Sequence, residues 1–198
     1  DANRERQRLT HYFDISDTHG SRYSRPVPLW EMKEEYESEI IETLESTFGT
    51  LDNKVNLAEA IMSASRNATE DNIPDYISDL LYSAENSFLE GLDDDMITSL
   101  YRSVVTNSVA YMMMSRLGLD TEYYFENSDF SDVTNFNTQD TLNALGFASS
   151  DIAEMGLTEI AKTIAALDRE NRIIADKSNR EYNEVEKETE RSFEDERT

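Results

Sequence analysis

The sequence predicts a mainly α-helical protein, with a single helical domain packed around one central buried helix. Three observations carry this prediction. Apolar residues recur at intervals of three and four over long stretches, strand-like alternation is confined to one N-terminal segment, and 198 residues suffice for one sizeable core. We expect an N-terminal arm with one short strand or hairpin at 1–28, a helical core domain at 29–175, and a charged helical tail at 176–198 that makes the C-terminal helix long.

The N-terminal strand is predicted at 9–15, where "LTHYFDI" alternates and carries aromatic and β-branched residues. An amphipathic helix follows at 29–48, with Gly49 as its stop. The next helix is expected to begin near Val55, and Val55 is placed on the apolar face of that helix. Pro74 is expected to start a further helix, because proline is favoured in the first turn.

The central helix is predicted at about 94–117, the most apolar part of the chain. Asp93 is placed to cap its N-terminus, Asp94 and Asp95 favour the positive end of the helix dipole, and Gly118 follows as a left-handed stop. The three aspartates are therefore interpreted as capping residues rather than as a metal site.

An aromatic connector follows this helix and is expected to lie on the core. Thr138 is predicted to cap a short helix that ends at Gly146, and Ser149 or Ser150 to cap the next one. The aromatic anchors of the connector are Tyr123, Tyr124, Phe125, Phe130 and Phe136.

Acidic charge is the dominant global feature, with 42 acidic and 18 basic residues and a net charge of −24. Residues 29–100 alone carry 18 acidic and 3 basic side chains, and such a surface repels phosphate backbones. Direct nucleic-acid binding by this body is thus disfavoured. Two interpretations stay open: a solvated acidic surface, or one that imitates DNA. The candidate interaction surface comprises Glu31, Glu34, Glu35, Glu42, Asp93, Asp94 and Asp95.

Several site classes find no support in the sequence. The chain has no cysteine, which excludes disulfides and thiolate zinc sites and fits the cytoplasm, and it has no apolar run of roughly 18 residues that could span a membrane. Phosphate-binding and nucleophile motifs are missing as well. His11 and His19 lie near Asp14 and Asp17, but the odd spacing of His11 and Asp14 puts them on opposite strand faces, so we expect no metal there.

Two motifs carry a resemblance to a known family. "YFDISDTHG" at 12–20 and "NSVAYMMMSRLGLDTEYYF" at 107–125 resemble elements of ArdC-like antirestriction proteins, which contain a zincin-type metallopeptidase domain. The likeness is closest to a segment of large polyvalent proteins from conjugative elements of Firmicutes. It implies a bacterial cytoplasmic location, and the start at Asp1 favours a piece of a longer polypeptide.

The same resemblance implies a lost metal site. In active members, two histidines of an H-E-x-x-H helix bind zinc, its glutamate is the base, and a glutamate before "SVAY" completes the ligands. The two histidines map to Ser83 and Ser87, the base to Ala84, and the third ligand to Asn107. Shifting the alignment by one residue restores a glutamate, Glu85, but still gives no histidine. The resemblance therefore implies neither catalysis nor a cofactor.

The leading hypothesis is a non-catalytic binding or scaffolding domain of a mobile-element protein, with an unidentified protein partner and other domains of the same polypeptide as neighbours. The alternative is an acidic DNA-mimic inhibitor of a host DNA-binding defence enzyme. A third hypothesis assigns nucleic-acid binding to the arginines of the N-terminal arm, Arg4, Arg6, Arg8, Arg22 and Arg25.

Overall fold

Four α-helices make up most of the chain in the computed structural model, which describes residues 30–195 and, for side chains, residues 30–178. They are α1 (Glu37–Phe48), α2 (Leu57–Ser83), α3 (Asp94–Arg116) and α4 (Gln139–Asp195). Short 3-10 helices lie at Glu34–Tyr36, Thr121–Tyr123 and Asn127–Asn135, and residues 30–195 contain no strand. The mainly helical prediction is confirmed. The predicted N-terminal strand lies outside the described residues, as do both histidines and the arginines of the arm.

The central helix is α3, as predicted. It packs against α2 and α4. Both predicted ends are confirmed, because the Asp93 carboxylate accepts a hydrogen bond from the Met96 N–H at 2.8 Å and Gly118 has a φ of 73°. Its buried side chains are Ile97, Tyr101, Val104, Val105, Val109, Ala110, Met113 and Met114.

Side-chain contacts fix the directions of the first three helices. The Leu57 N–H donates to the Glu37 carboxylate at 2.7 Å and the Asn67 amide donates to the Phe48 carbonyl at 3.1 Å, so α1 and the first half of α2 run the same way. The ion pair between Arg102 and Glu70, at 2.9 Å, lies along an α3 that returns in the opposite direction.

Helix α4 runs parallel to α3. The Tyr101 hydroxyl donates to the Ala144 carbonyl at 2.9 Å, and twelve residues further along both helices Met113 lies against Gly156. The Met113 side chain packs directly on the backbone of Gly156, where a Cβ would lie 2.6 Å from Met113 Cε and 3.4 Å from Phe48 Cε2. Three helices therefore meet at one buried glycine.

Two predicted helix boundaries are wrong. Pro74 lies inside α2 instead of starting a helix, and α4 continues through Gly146. A proline in a helix interior costs about 3 kcal/mol, but α2 buries Ile73 and Leu80 on the two sides of Pro74. Burial of Leu145 and Ala148 likewise carries α4 across Gly146.

Consequently, the predicted caps at Ser149 and Ser150 are wrong as well, since both residues lie within α4. The cap predicted at Thr138 is confirmed, because its hydroxyl accepts a hydrogen bond from the Thr141 N–H at 3.3 Å. Val55 is 88% exposed rather than buried, since the helix begins only at Leu57 behind its cap, Asn56.

A polar network ties the start of α1 to α4. The Lys33 ammonium and the buried Tyr36 hydroxyl both donate to the Asp168 carboxylate at 2.7 Å, and the Asn171 amide donates to the Tyr36 hydroxyl at 3.1 Å. Beyond this network α4 leaves the bundle, because residues 171–178 are all exposed. No helix among the described residues is both long and apolar enough to cross a membrane.

The two glycines of α4 provide a matched test of the packing. Gly146→Ala should raise the free energy of unfolding by about 0.5–1 kcal/mol, because alanine favours the helix and nothing lies within 4 Å of the new Cβ. Gly156→Ala should gain none of this stabilisation, because the new Cβ would lie 2.6 Å from Met113 Cε and the buried methionine side chain would have to shift. Urea unfolding measures both values, and equal stabilisation by the two substitutions would contradict the close approach of α3 and α4.

Asp168 should make the stability depend on pH. Hydrogen bonds from Lys33 and then Tyr36 lower its pKa, so its stabilising effect is complete above the ordinary value of about 3.9 and is lost as pH falls through the lower folded-state pKa. The difference in unfolding free energy between wild type and Asp168→Asn should therefore be largest at neutral pH and shrink in acid.

Urea titrations across that pH range would measure the difference. Glu159→Gln is the control; it removes the ion pair with Lys162 and should cost less than about 0.5 kcal/mol. A gap between wild type and Asp168→Asn that stays constant down to strong acid would contradict the role of the network.

Candidate functional site

The segment that the resemblance maps onto the metal-binding helix is a turn, so the helix that the resemblance implies is absent there. Helix α2 ends at Ser83, Asn86 has a φ of 62°, and Phe88 is 68% exposed. The Ser87 hydroxyl donates to the Ala84 carbonyl at 2.6 Å and accepts from the Leu89 N–H at 3.1 Å. Such local bonds compete with a helix, and asparagine tolerates the left-handed conformation.

The structure does not bring the four vestigial positions together. Ser83, Ala84 and Ser87 lie at the end of α2, whereas Asn107 lies on α3, where its amide donates to the Asp129 carbonyl at 2.9 Å. Arg102 of α3 pairs with Glu70 of α2, which lies about 20 Å of helix before the end of α2 at Ser83. Asn107 follows Arg102 along α3 and therefore lies still farther from that end of α2. Glu85, the alternative position, is exposed.

Among the side chains that the structure describes, those of residues 30–178, no three His, Cys, Asp or Glu converge so that they could hold a metal ion. The cluster of His11, Asp14, Asp17 and His19 lies outside the described residues.

The seven residues of the predicted acidic surface are all exposed but lie apart. Asp93, Asp94 and Asp95 stand at the start of α3. Glu31, Glu34 and Glu35 stand near its other end, where the Arg116 guanidinium lies 3.8 Å from the centre of the Trp30 ring. A helix as long as α3 separates these groups by about 35 Å, and Glu42 lies on α1. They do not form one continuous patch, and a DNA-mimic role stays a prediction.

The capping role of Asp93 can be tested directly. Asp93→Ala should lower the free energy of unfolding by about 1 kcal/mol, because the Met96 N–H loses its acceptor, while Asp93→Asn should cost much less. Asp95→Ala, in the same helical turn, is the matched control and should cost only a few tenths of a kcal/mol. Thermal and urea unfolding give these values. Equal losses at the two positions would contradict the capping role.

An aromatic cleft of about 570 Å³ lies beside the C-terminal half of α3. We call it the connector cleft, because the segment between α3 and α4 forms its other wall. Its lining residues are Ser108, Tyr111, Met112, Thr121, Glu122, Phe125, Glu126, Asn127 and Phe130. Tyr111 and Met112 are 42% and 38% exposed, so the floor of the cleft is open to solvent.

Three aromatic rings pack together in the connector cleft. The ring centres of Tyr111 and Phe125 are 5.9 Å apart, those of Tyr111 and Phe130 5.7 Å, and those of Phe125 and Phe130 5.6 Å. The two tyrosine contacts are edge-to-face, an arrangement that the charge distribution of the rings favours. Because the three rings contact one another, a ligand can contact only the ring faces that point away from the cluster.

The connector is held in place at several points. Phe136 is fully buried, with its ring centre 6.1 Å from that of Tyr101, and Asn107 fastens the backbone at Asp129. Of the five predicted anchors, Phe136 is buried and Tyr124, Phe125 and Phe130 are half-buried, but Tyr123 is 81% exposed, contrary to the prediction. The wall of the cleft is therefore a packed segment.

The rim of the connector cleft is acidic. Glu122 and Glu126 line it, and none of its lining residues in the described part of the chain is a lysine, arginine or histidine. The Glu126 carboxylate is partly engaged, because it accepts a hydrogen bond from the Ser128 hydroxyl at 3.4 Å. The Glu122 carboxylate makes no hydrogen bond or ion pair within the part of the chain that the structure describes, and Glu122 is exposed.

A second cleft of about 490 Å³ lies across the turn at Thr121–Tyr123, with the Glu37 and Asp120 side chains among its lining. Glu37 already accepts the Leu57 N–H, so this cleft offers less free acceptor capacity.

The sequence predicted that the aromatic residues of the connector lie on the core, but it did not predict the cleft. Tyr111 was the available signal, since it is a large aromatic residue of α3 outside the buried set of that helix.

Comparisons of the chain with protein-family models, with curated proteins and with solved structures find no match. The resemblance to ArdC-like proteins therefore stays a prediction.

Proposed function

We propose that this chain is a non-catalytic binding domain that holds a segment of a protein partner in the connector cleft. The observation that carries the proposal is the solvent-open aromatic floor formed by Tyr111, Phe125 and Phe130 on a helical scaffold. Exposed aromatic side chains in a concave site are typical of protein recognition, because they bury much apolar area at little entropic cost.

Support for the non-catalytic part comes from the vestigial positions. Ser83, Ala84, Ser87 and Asn107 supply neither an imidazole nor a carboxylate, the groups that bind zinc and activate water. They are also spread over the end of α2, the turn that follows it and the middle of α3. In the context that the ArdC-like resemblance implies, the domain would tether a partner to a long mobile-element polypeptide.

Selection of short random peptides on the immobilised full chain tests the binding function. We expect peptides that lose at least about tenfold in affinity with Phe130→Ser, because that change removes part of the aromatic floor. Phe147→Ser is the matched control: it removes an aromatic side chain that is 66% exposed on α4, away from the cleft. Peptides should bind this control as they bind wild type.

Two results would contradict the proposal. Selected peptides that bind wild type and Phe130→Ser equally well would remove the cleft from the binding site. Stoichiometric zinc in the purified full chain, together with a peptidase activity that a chelator abolishes, would refute the non-catalytic assignment.

A further inference from the structure

The connector cleft has the charge and the ring faces to bind a cation. Its two charged lining residues, Glu122 and Glu126, are both acidic, and its floor is aromatic. The outward face of an aromatic ring carries partial negative charge, and a cation above it is attracted by about 0.5–2 kcal/mol. Carboxylate and ring faces thus favour the same kind of ligand group.

Six cations of the described core are engaged away from the cleft. Lys33, Lys54, Arg66, Arg102 and Lys162 each pair with a carboxylate, and Arg116 lies over Trp30. Residues 101–160 carry nine acidic residues and only Arg102 and Arg116 as bases. Glu122 therefore has no neutralising partner within the described core, and a cation from a ligand would meet a carboxylate that no described side chain pairs.

On this basis we propose that the connector cleft binds an arginine side chain of a partner peptide, an inference that rests on the binding function proposed above. Its guanidinium stacks on the faces of Tyr111 and Phe130, and its N–H groups donate to the Glu122 carboxylate. Arginine fits better than lysine, because its flat guanidinium both stacks on rings and forms paired hydrogen bonds with a carboxylate. The protein already contains this kind of stack, with the Arg116 guanidinium 3.8 Å from the Trp30 ring centre.

Three synthetic peptide libraries with identical random flanks test the proposal, with arginine, citrulline or norleucine fixed at the centre. Citrulline keeps the shape of arginine without its charge, and norleucine keeps only the apolar stem. The full chain should retain the arginine library at least about tenfold better than either of the others, and about 0.5 M NaCl should reduce this preference.

Protein variants then locate the contact. Glu122→Gln should lower the affinity for arginine peptides by about fivefold or more, whereas Glu85→Gln, which changes an exposed glutamate outside the cleft, should leave it unchanged. Phe130→Leu keeps an apolar side chain but removes the ring face, and should cost about threefold. Both changes are mild enough to leave the bundle folded, which circular dichroism would verify.

The outcomes separate this inference from the function on which it rests. Equal, cleft-dependent retention of the norleucine library would overturn the arginine proposal and leave peptide binding intact. No cleft-dependent retention of any library would overturn both.

A photocrosslinking residue at the floor identifies other occupants. Met112→p-benzoylphenylalanine should crosslink to arginine peptides and be outcompeted by them. Crosslinks to residues 1–28 of the same chain or to a second copy, without competition by arginine peptides, would overturn the proposal in favour of those occupants.

Discussion

The parallel packing of α3 and α4 is the constraint on which the rest of the structure depends. The Met113 side chain of α3 lies against Gly156 of α4, where a Cβ would be only 2.6 Å from Met113 Cε. Because the two helices run the same way side by side, the chain must travel back along most of α3 before α4 can begin. The connector between Arg116 and Gln139 makes this return, and it lies on α3 beside Tyr111.

The connector cleft follows from that return path. A segment that recrosses a helix buries some of its side chains, here Phe136, and leaves others as a wall beside the helix surface. The 3-10 helices satisfy the connector's backbone groups locally, so the wall holds its shape without a sheet. Under the proposed binding function, the acidic residues of the cleft would favour cationic ligands. The binding energy would come from a few ring faces and the Glu122 carboxylate, which is typical of small recognition sites.

Sequence patterns predicted the elements whose signals agree. For α3, the apolar pattern, the Asp93 cap and the Gly118 stop all indicate one helix, and both ends are correct. Prediction failed where a local signal opposed burial, as at Pro74 and Gly146, because apolar neighbours on both sides outweigh one weak residue. At residues 84–88 the outcome was reversed, since short polar side chains formed a turn in place of the helix that the resemblance implies. The connector cleft could not be predicted from the sequence, because it depends on the relative direction of two helices, which no local pattern encodes.

Hydrogen exchange of backbone amides in the full chain tests the central claim, that the connector is packed against α3 and the cleft is preformed. The amides of Tyr124, Phe125, Asp129 and Phe136 donate to backbone carbonyls of the connector, and Phe136 is buried. They should exchange at least about a hundredfold more slowly than in an unstructured peptide, while the buried face of α3 exchanges most slowly of all. Connector amides that exchange as fast as those of a free peptide would contradict the account, because the cleft would then lack its wall.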